Sequence, residues 1–93
     1  MSHTWHVAIH LFDADDIDPH GTVTAAHAIL TTSSSTSLDG YGRARRHPHD
    51  PEVREIGEEL AAARALRDLA DRLLRATSDD IASIEHHGIH LRA

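Results

Sequence analysis

Hydrophobic residues first recur at every second position. In TWHVAIHLF, Trp5, Val7, Ile9 and Leu11 alternate with His6, Ala8, His10 and Phe12, and a period of two predicts a half-buried strand with the odd-numbered residues inward. Asp, Pro and Gly then cluster in DADDIDPHG, the composition of a loop. The run TVTAAHAILTT offers two faces, Thr24, Ala26, Ala28 and Leu30 or Val23, Ala25, His27 and Ile29. The small-residue face is read as inward, because the other choice buries His27. SSSTS reads as a turn, and SLDGYGRARR as a third strand with Leu38, Gly40, Gly42 and Ala44 inward and Tyr41, Arg43 and Arg45 outward. Asp39-Gly40 is an alternative hairpin turn that would shorten strands two and three. Three successive strands with short connections predict an antiparallel meander.

From Val53 the period lengthens. Val53, Ile56, Leu60, Ala63, Leu66, Ala70, Leu73 and Thr77 recur at three- and four-residue spacing, which predicts a helix over 51–75 burying that stripe. Asp50 suits the N-cap and Pro51 the first helical position, with Glu52, Glu55, Glu58 and Glu59 near the positive end of the dipole. Opposite the stripe run the ladders Arg64–Asp68–Arg72 and Arg67–Asp71–Arg75. Each such pair contributes only ~0.2–0.5 kcal/mol, so the ladders read as a solvated face. A helix of this span is about 37 Å long and a seven-residue strand about 23 Å, so the helix must overhang the sheet or bend, with Gly57 the weakest point. Ala61, Ala62 and Ala63 allow it close to the glycines and alanines of the sheet. A second, short helix is expected from an N-cap at Thr77 or Ser78, with Asp79 and Asp80 in its first turn, Ile81 and Ile84 buried and a stop near Gly88. The tail IHLRA is expected to pack Ile89 and Leu91 back on the domain.

These elements give a two-layer α+β domain, β-β-β-α-α, and 93 residues make it a single one. With 40% hydrophobic and 26% charged residues, the chain falls in the soluble globular class. No apolar run approaches the ~20 residues that span a bilayer, and MSHTWHV lacks the features of a signal peptide, so a cytoplasmic location without membrane association is expected. The absence of cysteine excludes disulfides and thiol chemistry. All nine basic residues are arginine, against fifteen acids, for a net charge of −6. The first 42 residues carry five aspartates and no arginine. Such a balance disfavours non-specific nucleic-acid binding.

The β-β-β-α-α order, WHVAIHL, TAAHAILTT, YGRAR and above all EIGEELAAARALRDLA resemble a small uncharacterised family of actinobacterial proteins, over nearly the whole chain. The resemblance implies a fold similar to the double-stranded-RNA-binding domain. It does not carry the RNA-binding residues with it. Pro19-His20-Gly21 sit beside four aspartates, and the long helix opens with four glutamates where RNA binders place lysines.

GRARRHPHDPE, residues 42–52, concentrates the remaining chemistry. Arg43, Arg45 and Arg46 with Tyr41 have a nucleic-acid reading, but alternation divides the arginines between two faces, and a solvated strand end is the better account. His47, His49 and Asp50, with His86, His87 and His90, invite a metal reading without the ligand spacing of a defined site. A calcium loop starting at Asp16 places Gly21 at the sixth position but His27 at the twelfth, where glutamate is required. No nucleophile motif or phosphate-cradling loop is present. We therefore expect no catalytic site, no cofactor and no metal.

The outer face of the sheet, with His6, His10, Phe12, His27, Ile29, Tyr41, Arg43 and Arg45, is more apolar than a solvated face requires. It reads either as the wet side of an open antiparallel sheet or as a contact surface for self-association or an unknown protein partner. Protonating His6, His10 and His27 together would place like charges side by side. The expected role is a non-catalytic interaction or accessory protein, with nucleic-acid binding as the alternative.

Overall fold

The computed structural model describes residues 1–13, 23–46 and 54–86. Three strands, β1 (His6–Asp13), β2 (Val23–Thr31) and β3 (Ser37–Arg45), form an antiparallel sheet in the order β1-β2-β3. One helix, α1 (Arg54–His86), covers part of one face. The register pairs His10 with His27 and His27 with Tyr41. Asp39 and Gly40 therefore lie within β3, opposite Ile29 and Ala28, and the meander turns at 32–36 instead. There the Thr32 amide donates to the Thr36 carbonyl at 2.9 Å, the Ser35 amide to the Thr32 carbonyl at 3.1 Å, and Ser35 takes a left-handed φ of 64°.

The small-residue face of β2 and β3 points to the helix, as alternation predicts. Ala26, Ala28, Leu30 and Ala44 are buried there with Ala61, Ala65 and Leu69 of α1, and Leu38 and Leu73 pack at the margin. Gly40 and Gly42 set the distance between the layers. A Cβ at Gly40 would collide with the backbone of Leu69, and one at Gly42 with the backbone of Ala65. The helix backbone rests directly on β3 at these two glycines, where no side chain fits beneath it.

This close seat overturns the predicted helical stripe. Ile56, Leu60 and Leu66 are exposed, as are Ala63 and Ala70, whereas Ala61, Ala65 and Leu69 form the contact. Larger side chains would hold the helix off the glycines, so the face with the smallest residues wins over the one with the most leucines. Nor does a separate second helix begin at Thr77 or Ser78 among the described residues: α1 runs unbroken through both. Their hydroxyls donate back to the carbonyls of Leu73 at 3.0 Å and Leu74 at 3.1 Å, a bond available only inside a helix. Thirty-three residues make a helix of about 50 Å. Its C-terminal part overhangs the sheet, leaving Leu74 and Ile81 exposed and Ile84 half-buried, and the chain measures 58 × 29 × 22 Å. Gly57 does not break it. A Cβ at Gly57 would sit 3.0 Å from the Thr24 hydroxyl, so this glycine serves close packing.

Candidate functional site

Every residue expected on the outer face lies there. The register sets them in cross-strand rows: Ala8, Ile29 and Asp39; His10, His27 and Tyr41; Phe12, Ala25 and Arg43. His6, His10, Phe12, Tyr41, Arg43 and Arg45 are exposed, and His27 and Ile29 are half-buried. Val23 and Ala25, on the same face, are buried, so the face is less open than alternation alone implies.

Within it lies a cluster that spacing along the chain does not reveal. The His27 and Tyr41 rings stack, with centroids 4.4 Å apart and planes within 9°. Asp39 Oδ2 faces His27 Nε2 at 2.9 Å and accepts from the Tyr41 hydroxyl at 3.1 Å. The hydrogen bond with His27, and then that from Tyr41, holds the Asp39 carboxyl below its ordinary value. The same carboxylate pushes the Tyr41 phenol up, because the hydroxyl donates to it and its charge opposes a phenolate. His10 extends the row, its ring centroid 6.5 Å from that of His27. The His27–Asp39 contact spans β2 and β3 and adds a polar link to their backbone ladder. The signal for it was present in the sequence as His and Asp on one face of neighbouring strands, legible only once the hairpin register is known.

The Arg64–Asp68–Arg72 ladder, expected to be a solvated face, lies along the free edge of β3. Asp68 Oδ2 accepts from the backbone amide of Tyr41 at 2.9 Å, and Arg64 Nη1 donates to the Arg43 carbonyl at 2.7 Å. Arg72 Nε donates to the same Asp68 oxygen at 3.1 Å, and its guanidinium carbon is 6.0 Å from the Tyr41 ring centroid. The Tyr41 amide, followed by the charge of Arg72, keeps the Asp68 carboxyl below its ordinary value. Two backbone groups that could pair with a fourth strand are thereby occupied by helix side chains.

The other edge contrasts with this one. Tyr41 and Arg43 direct backbone groups away from β2, so Gly40, Gly42 and Ala44 bond to β2. Antiparallel alternation then carries across the sheet: even-numbered residues of β1 bond to β2, and Val7, Ile9 and Leu11 turn their N–H and C=O groups outward. The side chains of these three residues lie on the helix side, where they were expected to be buried. They are exposed instead, at 47%, 37% and 41%, as is Trp5 just before them. The physical reason is the seat of α1 on the glycines of β3, which among the described residues leaves β1 largely uncovered. Because Arg64 and Asp68 mark the flank of α1 over β3, Leu66, about 100° round the helix from Ala65 in the other sense, lies on the flank toward β1. Leu66 is 40% exposed. Only Arg54, bonded to Asp13 at 3.3 Å, ties a helix side chain to the end of this strand among the described residues.

His47, His49, Asp50, His87 and His90, the loop after Asp13, the N-cap and Pro51 of the helix, Gly88 and the IHLRA tail all lie outside the described residues. Among those described, no three metal-binding side chains converge, and no helix is long and apolar enough to cross a membrane.

A three-stranded meander whose glycine-bearing third strand seats one long helix, with helix side chains on one sheet edge and none on the other edge's backbone among the described residues, defines a small two-layer α+β domain. The chain belongs to the Rv2632c-like family, whose model matches residues 3–90. It is 41% identical over 86 residues to the uncharacterized Mycobacterium bovis protein Mb1767, covering 92% of this chain and 90% of that one. To the uncharacterized Mycobacterium tuberculosis protein Rv2632c it is 43% identical over 77 residues, covering 80% and 82%. The crystal structure of Rv2632c superposes with a TM-score of 0.76 at 36% identity, over 92% of this chain and 94% of that one. The family expected from the sequence is thus the one found.

Proposed function

We propose that the protein is a non-catalytic interaction domain that engages a protein partner through β1, using its open edge and the apolar residues on its helix side. The observation that supports this reading is the asymmetry of the two edges. Asp68 and Arg64 cap two backbone groups of β3, whereas among the described residues nothing caps β1, with Trp5, Val7, Ile9 and Leu11 exposed in a row. An open edge beside an apolar strip is the surface to which an extended partner adds a strand. On the outer face, His6, His10 and Phe12 border the same edge, and the rest of the expected surface, His27, Ile29, Tyr41, Arg43 and Arg45, continues away from it. The proposed contact surface therefore shifts from the centre of the open face to its β1 margin.

A photo-crosslinking residue placed at Val7, and at Ser37 on the far edge strand as a control, tests this in native cytoplasm. Adducts at position 7 well above those at 37 are expected, whatever the partner. Equal or absent labelling at position 7 overturns the reading.

Nucleic-acid binding is the second reading, on the observation that Tyr41, Arg43 and Arg45 are all exposed on one face. The net charge of −6 opposes it, and Asp39 stands beside Tyr41. A likeness to the double-stranded-RNA-binding fold adds nothing to it without the matching residues. No retardation of duplex RNA or DNA at ~50 mM salt removes it, since such binding strengthens steeply as salt falls.

A further inference from the structure

The geometry points to a second copy of this chain as the occupant of the β1 edge: we propose that β1 pairs antiparallel with β1 of the second copy about a twofold axis at Ala8, joining two sheets into one of six strands. This rests on the β1 reading above and commits it to one partner.

Self-complementarity carries the inference. Antiparallel pairing of a strand with itself matches residues whose numbers have a constant sum. An even sum sets odd residues against odd ones, and those are the residues whose backbone groups face outward. Val7, Ile9 and Leu11 of each copy then fall at hydrogen-bonded positions of the new strand pair, while their side chains stay on the helix side in both copies. With the axis at Ala8, all four exposed apolar residues find apolar neighbours. Trp5 lies opposite Leu11 of the second copy and Val7 opposite Ile9 of the second copy, each twice.

Charge agrees with this register. Between His6 and Asp13 the only formally charged residue is Asp13, and the same pairing places it opposite His3 of the second copy, so no like carboxylates oppose each other. A different partner strand would have to supply apolar residues in this same alternation, which this chain already does.

The extent of the interface places it in the class of small, transient contacts. An eight-residue strand spans about 27 Å, and pairing of one strand per copy falls at the low end of interface sizes, below ~1,200 Å² in total. A reversible dimer with a dissociation constant on the order of micromolar is expected, not a permanent one. Two copies at −6 each repel at long range, so added salt should tighten the dimer, the reverse of nucleic-acid binding.

Sedimentation velocity across roughly 1–200 µM, a range bracketing micromolar association, tests the proposal on the full chain. The wild type should shift from monomer to dimer. Ile9→Pro removes an amide that faces away from β2, and Ile9→Arg places charge on an already exposed position. Both should weaken the dimer at least tenfold while far-UV circular dichroism stays unchanged. If the proline variant loses its fold, the arginine variant still decides. A wild type that stays monomeric to the highest concentration, or a dimer indifferent to Ile9→Arg, overturns self-pairing. Monomeric behaviour together with crosslinks from Val7 to other proteins leaves the β1 reading standing without it.

Discussion

The backbone amide of Tyr41 in the edge strand donates to the carboxylate of Asp68 in the helix at 2.9 Å. A helix side chain thus takes the place of a neighbouring strand. Together with Arg64 on the Arg43 carbonyl, it occupies two of the outward backbone groups that a further strand would use on this edge.

Removing this cap should therefore open the wrong edge. Asp68→Ala is expected to speed hydrogen exchange at the Tyr41 amide and to increase concentration-dependent light scattering. Asp68→Asn keeps an acceptor oxygen and should stay close to wild type. Unchanged exchange in Asp68→Ala would show that the edge is protected by something other than this carboxylate.

The glycines under the helix admit a sharp test of the packing. Gly42→Ala puts a methyl group into the backbone of Ala65 and should lower stability by about 1–3 kcal/mol through overpacking. A denaturant midpoint equal to that of wild type would mean the layers are further apart than described.

Leucines on the two helix faces should separate clearly. Leu69→Ala empties a site that is 5% exposed and should cost about 2–4 kcal/mol. Leu66→Ala, on the flank, should cost less than about 1 kcal/mol. The reverse order in urea unfolding would restore the leucine stripe as the core.

Thr77 and Ser78 lie within the helix and do not cap it. Replacing an N-cap by alanine costs ~1 kcal/mol, whereas Thr77→Ala and Ser78→Ala should each change stability by less than about 0.5 kcal/mol. A loss of helicity in either variant, read by circular dichroism, would argue for a break at that point.

The pH dependence follows from two depressed carboxyls. Asp39 and Asp68 both ionise more readily in the folded chain than at their ordinary value of 3.8. Their contribution to stability is therefore present above about 3.8 and is lost as pH falls through their lower folded values. Tyr41 acts in the opposite range: its phenol is raised above 10.0, so its contribution is present below about 10 and is lost as pH climbs through the raised value. An Asp39→Asn, Asp68→Asn double variant should show a flatter decline in urea midpoint below pH ~4 than wild type. An identical acid limb would assign the acid sensitivity to other groups.

Local pattern determined much of this molecule by itself. A period of two places three strands and, through parity, states which residues share each face, so the alanine and glycine face and the outward His27, Tyr41 and Arg43 are readable before any coordinates. The family is readable in the same way. Which face of the helix meets the sheet is not, because leucine count and closeness of approach favour different faces, and only the close approach of the Ala65 and Leu69 backbone to Gly42 and Gly40 decides between them. That seat, over β3, has two consequences far apart in the chain: Asp68 and Arg64 reach backbone groups of the strand edge, and Val7, Ile9 and Leu11 lose the cover their alternation promised. Periodicity reports that a side chain faces a layer. Only the lateral position of the helix decides whether anything is there to bury it.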